Sequence, residues 1–158
     1  MKKAVYATVK DVVLLAEMNS EMIAASGHDP GLNQEELEQR MRIWLETKAY
    51  QSIIFYDASR PIGYVLFGGQ VEIQLRQFLI RSDVTGRGHG RNVFLFLLKD
   101  IWREATSIHL DVHPSNSRAI SFWRSLGFDE KVERTQLWMD KSKMEWMIIN
   151  FGEEKIKY

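Results

Sequence analysis

Apolar and polar positions recur at two different periods along the chain, and each change of period marks a new element. Val5 to Val9 has the composition of a short strand, and Thr8 followed by Asp11 forms a helix start in which each side chain can bond the other's backbone N–H. The helix runs to about Ala25 and ends in the turn-forming run Ser26-Gly27-His28-Asp29-Pro30-Gly31. Asn33 and Glu36 repeat the capping pattern, after which Leu37, Met41, Trp44 and Leu45 fall on one face at helical spacing. The chain then becomes β-rich. Ser52 to Tyr56 and Ile62 to Phe67 read as strands joined by a turn through Asp57 and Pro61, and Gly68-Gly69 marks a hairpin into a third strand, Val71 to Ile80.

That third strand breaks its own alternation. Val71, Ile73 and Leu75 share one parity, whereas Phe78 and Ile80 hold the other. A strand can shift its apolar set between parities only by inserting an extra residue, so the spacing predicts a β-bulge near Arg76-Gln77. Next, Thr85-Gly86-Arg87-Gly88-His89-Gly90-Arg91 leads into a helix whose buried face carries Val93, Phe94, Leu97, Leu98 and Ile101. Ser107 to Val112 is a strand. Pro114 and Ser115 open a helix with Ala119, Ile120, Trp123 and Leu126 inward, and Gly127 ends it in the left-handed conformation with Phe128 folded back. Glu130 to Phe151 reads as two more strands, with Trp146 on the last, and the polar tail from Gly152 to Tyr158 is expected to be loose. Strands before and between helices imply a mixed sheet with helices on its faces, an α/β arrangement in one domain spanning residues 1–158.

Composition narrows the classes of function. Hydrophobic residues make up 45% and charged residues 27%, which suits a folded domain, and 21 basic residues balance 21 acidic ones. No net field therefore draws the chain to nucleic acid or an anionic membrane, and neither is expected as a partner. With no cysteine there is no disulfide, thiolate metal ligand or cysteine nucleophile, and a reducing, cytoplasmic location is expected. Lys10 and Asp11 interrupt the first apolar stretch too soon for a signal peptide. The longest apolar run, Val93 to Leu98, is far short of the ~20 residues that span a bilayer.

The glycine-rich turn is the first chemical signal. Gly86, Gly88 and Gly90 leave backbone N–H groups uncovered where a helix begins, a setting that favours phosphate, and Arg87 and Arg91 can add charge-assisted bonds. Glycines at a strand–helix turn are about as often purely structural. No Gly-Lys-Ser/Thr follows, and Gly-x-Gly-x-x-Gly is not met, so neither a nucleotide P-loop nor a dinucleotide fingerprint is present.

The second signal is the segment from Leu110 to Phe128. Val112 ends a strand, Asn116 and Ala119 follow, then the aromatic pair Phe122-Trp123 and Gly127-Phe128. Together with the glycine turn and the bulged strand before it, this segment resembles the GNAT superfamily of acyl-CoA-dependent N-acetyltransferases, and the element order fits from Val5 to about Phe151. The resemblance implies a mixed, mostly antiparallel central sheet with about seven strands, one of them bulged and splayed, and about four helices on its faces. It implies acetyl-CoA as acyl donor, with no metal, and an amine of an unidentified small molecule or peptide as acceptor. The backbone of Phe78, Leu79 and Ile80 would meet the pantetheine arm, Gly86, Arg87, Gly88, His89, Gly90 and Arg91 would wrap the pyrophosphate, and Asn116 would contact the cofactor. The resemblance also admits a homodimer.

The chain departs from the family pattern in two places. Thr85 stands where the family usually opens its turn with Gln or Arg. Trp123 stands at the cofactor-side position where the family often carries a tyrosine acid, and an indole N–H is no useful acid. A catalytically impaired acyl-CoA-binding module is therefore the alternative to an enzyme. For the base, strand alternation groups His109, Asp111 and His113 on one face, where Asp111 is the candidate against a solvated strand face. Glu72 on the bulged strand is the second candidate, with Gln74 nearer the family's usual position but unable to act as a base. Arg76 and Gln77 at the bulge could face the acceptor, and His28 lies in the loop that borders the acceptor pocket in the family.

Overall fold

The computed structural model describes Met1 and residues 3–84, 88–130 and 136–151. The chain opens with β1, Lys3–Tyr6, which stops before Thr8 because that residue caps a single 3-10 turn: Thr8 and Asp11 form the reciprocal capping box expected of them. Helix α1, Val12–Ser26, follows, and Gly27 closes it at φ 73°. Helix α2, Gln34–Glu46, starts at the Asn33–Glu36 capping box. Strands β2 (Gln51–Asp57), β3 (Arg60–Gly68) and β4 (Glu72–Ile80) form the meander. Helix α3, His89–Phe96, continues as a π-helical turn over Leu97–Ile101. Strand β5, Ser107–Asp111, leads to α4, Ser117–Ser125, then β6, Asp129–Glu130, and β7, Gln136–Asp140. Gly127 (φ 99°) closes α4 as expected: its N–H donates to Arg124 O at 2.9 Å, and Phe128 N–H donates to Trp123 O at 3.2 Å.

One sequence expectation fails. The segment Lys141–Phe151 is a helix, α5, and not the strand read from Trp146 and its neighbours. Asp140 Oδ1 accepts from Lys143 N–H at 2.9 Å, holding the first turn, and Met144, Met147, Ile148 and Phe151 meet the core at helical spacing. With α5, five α-helices stand among the described residues, where about four were expected.

Among the described residues, seven strands form one mixed sheet in the order β1-β2-β3-β4-β5-β7-β6, antiparallel except for the parallel pair β4/β5. Its two faces carry separate cores. Ile53, Phe55, Val65, Phe67, Ile73, Leu75, Ile108, Leu110, Leu137 and Met139 pack on α3, α4 and α5. Ile54, Tyr64, Leu66 and Leu79 pack on α1 and α2. Burial on both faces explains why β3 reads as a continuous apolar run rather than an alternation. Among the described residues no helix is long and apolar enough to cross a membrane.

Candidate active site in the split sheet

The bulge lies where the alternation predicted it. Leu66 of β3 pairs with Gln77, but Phe67 pairs with Leu75, which leaves Arg76 as the extra residue. This lets Ile73, Leu75, Phe78 and Ile80 all meet the same core despite their changed parity, while Leu79 joins the core under α1 and α2. The bulge also ends a pairing. Strands β4 and β5 run in register from Glu72 opposite Ser107 to Leu75 opposite Leu110, and there their ladder stops. Beyond Arg76, residues 77–80 stay on β3 alone. The two parallel strands thus part at their C-terminal ends, and the free edge of β4 there bears no strand among the described residues.

Several of the residues expected at a cofactor line this split. Phe78 stacks on Phe122 with ring centres 6.0 Å apart, Leu79 is buried, and Ile80 packs beside them. Close approach of β3 is enforced by Gly63: a Cβ there would lie 2.0 Å from the carbonyl oxygen of Leu79. Gly88 caps α3 at φ 75°, a left-handed conformation that favours glycine, and nothing crowds it. The first-turn N–H groups of α3 point out of the N-terminal end of the helix, as at every helix start. Gly90 makes room for Phe122, since a Cβ there would come within 2.9 Å of the ring. Arg91 lies over the Phe151 ring at 5.1 Å, which ties the turn to α5. Gly86 and Arg87, like Thr85 and the tail Gly152–Tyr158, lie outside the described residues.

Asn116 is the N-cap of α4, its Oδ1 accepting from Ala119 N–H at 3.2 Å. Trp123 is 6% exposed and ringed by Phe78, Phe94, Phe122 and Phe128 at 4.9–5.9 Å between centres. It is a core residue that stiffens the wall of the split.

The base candidates separate. Asp111 is the exposed last residue of β5, one position past the final rung with β4, and so stands at the mouth of the split level with Arg76. Glu72 begins β4 opposite Ser107, roughly 13 Å along the strand from the bulge, at the end away from the split. Gln74 pairs with His109, whose ring stacks on Trp138 at 6.3 Å. His113 lies beyond the strand. Its Nδ1 accepts from Ser115 N–H at 3.2 Å, and its ring stacks on His28 at 4.7 Å, so the loop after α1 reaches the end of β5. Among the described residues no group of three or more His, Cys, Asp or Glu could hold a metal ion.

The sequence reading missed a polar network behind the bulge. Gln77, 6% exposed, accepts a 2.7 Å bond from the hydroxyl of Tyr64, which is fully buried. Burial pushes the Tyr64 phenol well above its ordinary range, against a weaker opposing pull from Arg40. Arg40 Nη2 donates to Oδ1 of buried Asn19 at 3.1 Å. Desolvation, and next the nearby charge of Arg76, lowers the Arg40 pKa from its ordinary value. The signal was present: Asn19 continues the buried stripe of Val12, Leu15 and Ala16, and Arg40 lies in the stripe of Leu37, Met41 and Trp44. A polar residue on such a stripe requires a buried partner.

A model of the Acetyltransferase (GNAT) family matches residues 17–128. No curated protein matches the chain. Among solved structures, an acetyltransferase from Thermus thermophilus is 20% identical with a TM-score of 0.70, over 87% of this chain and 95% of that one. The PaiA N-acetyltransferase of Thermoplasma acidophilum, in complex with coenzyme A, is 16% identical with a TM-score of 0.66, over 88% and 98%. The spermidine N-acetyltransferase of Vibrio cholerae, in complex with CoA and spermine, is 18% identical with a TM-score of 0.67, over 90% and 98%. These likenesses establish the fold, and the family match, which spans the bulged strand, the turn into α3 and the start and end of α4, establishes that the chain belongs to the GNAT family of acetyltransferases.

Proposed function

We propose that the chain moves the acetyl group of acetyl-CoA directly to the nitrogen of an amine. The observation that carries this reading is the parallel pair β4/β5, which separates at the Arg76 bulge and leaves an open strand edge leading to the glycine-capped start of α3. The free edge of Phe78–Ile80 can bond the amide groups of a pantetheine arm as a strand would. The first turn of α3, with Gly88, His89, Gly90 and Arg91, offers N–H donors and positive charge to the pyrophosphate. Gly86 and Arg87, just before them in the sequence, are assigned the same role. Structural relatives with coenzyme A bound share this architecture, which supports the assignment.

The chemistry follows from the groups present. The acceptor's ammonium must lose a proton before it attacks, and in this reading Asp111 at the mouth of the split takes it, directly or through water. The neutral nitrogen bonds the thioester carbon, the oxyanion is met by a backbone N–H near Ile80, the nitrogen sheds its second proton to solvent, and the C–S bond then breaks. Trp123, enclosed by phenylalanines, supplies no proton, so the thiolate takes one from solvent. With no cysteine in the chain, a cysteine-linked acetyl-enzyme cannot form.

The test is a thermal melt with acetyl-CoA, coenzyme A, propionyl-CoA or ATP, followed by a thiol-release assay over a library of amines. A ligand that binds only the folded state adds about 2.7 kcal/mol at a hundredfold excess over its Kd. Stabilisation by acetyl-CoA but not ATP, with amine-dependent thiol release, supports transfer. Stabilisation without thiol release for any amine would favour a binding module, and no CoA effect up to millimolar concentration would refute the reading.

A further inference from the structure

Two cations converge on one indole beside the split. The guanidinium carbon of Arg40 lies 4.6 Å from the centre of the Trp44 ring, and that of Arg76 lies 5.5 Å from it. Arg76 is there because of the bulge. An extra residue puts two consecutive side chains, Arg76 and Gln77, on the face they share with Leu66, which is the face covered by α1 and α2. Like charges so close repel, and the indole face offsets only part of that cost.

Neither guanidinium has a carboxylate partner among the described residues. The α1 carboxylates Glu17 and Glu21 are both engaged by Arg81, at 3.4 and 2.7 Å. Behind the pair, Arg40 Nε is a buried donor with no hydrogen-bond partner among the described residues. Buried donors are rarely left unused, and planar guanidinium edges match the two oxygens of a carboxylate. One strand over, one position past the last rung that joins β4 to β5, stands Asp111, of opposite sign. Cations on one side of the split and an anion on the other complement a small molecule that carries both a carboxylate and an amine.

We propose that the acceptor is of the α-amino-acid class and that Arg76 and Arg40 receive its carboxylate while its amine faces Asp111 and the split. The assignment rests on the acetyl-transfer reading above and specifies its second substrate. The same geometry disfavours polyamines, whose spaced cations would be repelled by the arginine pair.

The experiment measures thiol release from acetyl-CoA with matched amines. Each α-amino acid is compared with its primary amide and with the decarboxylated amine, and a phosphorylated ethanolamine serves as the alternative anion. Amino acids are expected to exceed both analogues that lack the carboxylate at least roughly a hundredfold in kcat/KM, because a site built for a charged group rejects analogues that lack it. Arg76→Gln is expected to lower kcat/KM for the amino acid at least about tenfold, mainly through KM, and Arg76→Lys to recover part of it. Neither change should alter the acetyl-CoA melting shift, which also shows that each variant folds. Equal use of acid, amide and decarboxylated amine would overturn the proposal, as would preference for the phosphorylated amine or turnover confined to amines without an acid group. An unchanged KM in Arg76→Gln would overturn the role of that residue. Loss of the acetyl-CoA shift in the unaltered protein would instead refute acetyl transfer itself, and this assignment with it.

Discussion

Replacing Tyr64 by Phe isolates the bond that fastens the bulge. The ring of Tyr64 is fully buried between β3 and the helices α1 and α2, and its hydroxyl donates to Gln77 Oε1 at 2.7 Å. Phenylalanine keeps the ring contacts and deletes one oxygen, so the main loss is the donor to a glutamine that is 6% exposed. A buried acceptor left without a partner costs about 1–3 kcal/mol. For a chain of this size each kcal/mol shifts Tm by about 2–4 °C, so the melt should fall by about 2–12 °C. Gln77→Leu removes the other partner, and the double variant should be less destabilised than the sum of the two singles by about 1–2 kcal/mol. The phenol adds a pH dependence. Its pKa is raised in the folded state by burial, so the neutral form is favoured there and ionisation of the unfolded chain sets in first. The contribution is fully present below about pH 10, the ordinary tyrosine value, and is lost above it by about 1.4 kcal/mol per pH unit until the folded phenol ionises. Tyr64→Phe should lack that share of the alkaline slope. Urea melts of the four proteins at neutral and alkaline pH would decide the matter. Additive single and double effects would show that the bond does not hold the bulge.

Other sites make separable demands. Gly63→Ala should destabilise by on the order of 3 kcal/mol and weaken the acetyl-CoA melting shift, because its Cβ would meet the Leu79 carbonyl at 2.0 Å and push β3 from β4. Asn116→Ala should cost about 1 kcal/mol through the lost N-cap, while Asn116→Asp keeps the cap, so a fall in acetyl-CoA affinity in both variants would assign Asn116 a cofactor contact besides its structural one. Met147→Ala should lose about 2–5 kcal/mol, whereas Trp146→Ala, at a half-exposed position, should lose less than about 1 kcal/mol; the reverse order in urea melts would contradict the helical assignment of α5.

The resemblance stated from the sequence reached the family, and the reason is physical. Tight backbone geometry admits few residue types, so Gly88, Gly90 and Gly127 could be read at once, and a bulge leaves a countable trace in the parity of Ile73, Leu75, Phe78 and Ile80. The capping boxes at Thr8 and Asn33 were equally legible, because the cap and its partner lie three residues apart on the chain.

Long-range placement was not legible in this way. Met144, Met147, Ile148 and Phe151 suit a helix, but a short apolar segment suits a strand as well, and only packing against α3 and the sheet decided between them. Asp111 and Glu72 read alike as exposed strand carboxylates until the ladder was known. The register then set one at the mouth of the split and the other at the far end of its strand. The arginine pair on Trp44 joins residues 36 positions apart in the chain, Arg40 and Arg76, and no local period connects them. Local rules act over a few residues and so were written in the sequence. Which side chains share a site depends on how strands pair and helices pack over tens of residues, and that was decided only by the tertiary structure.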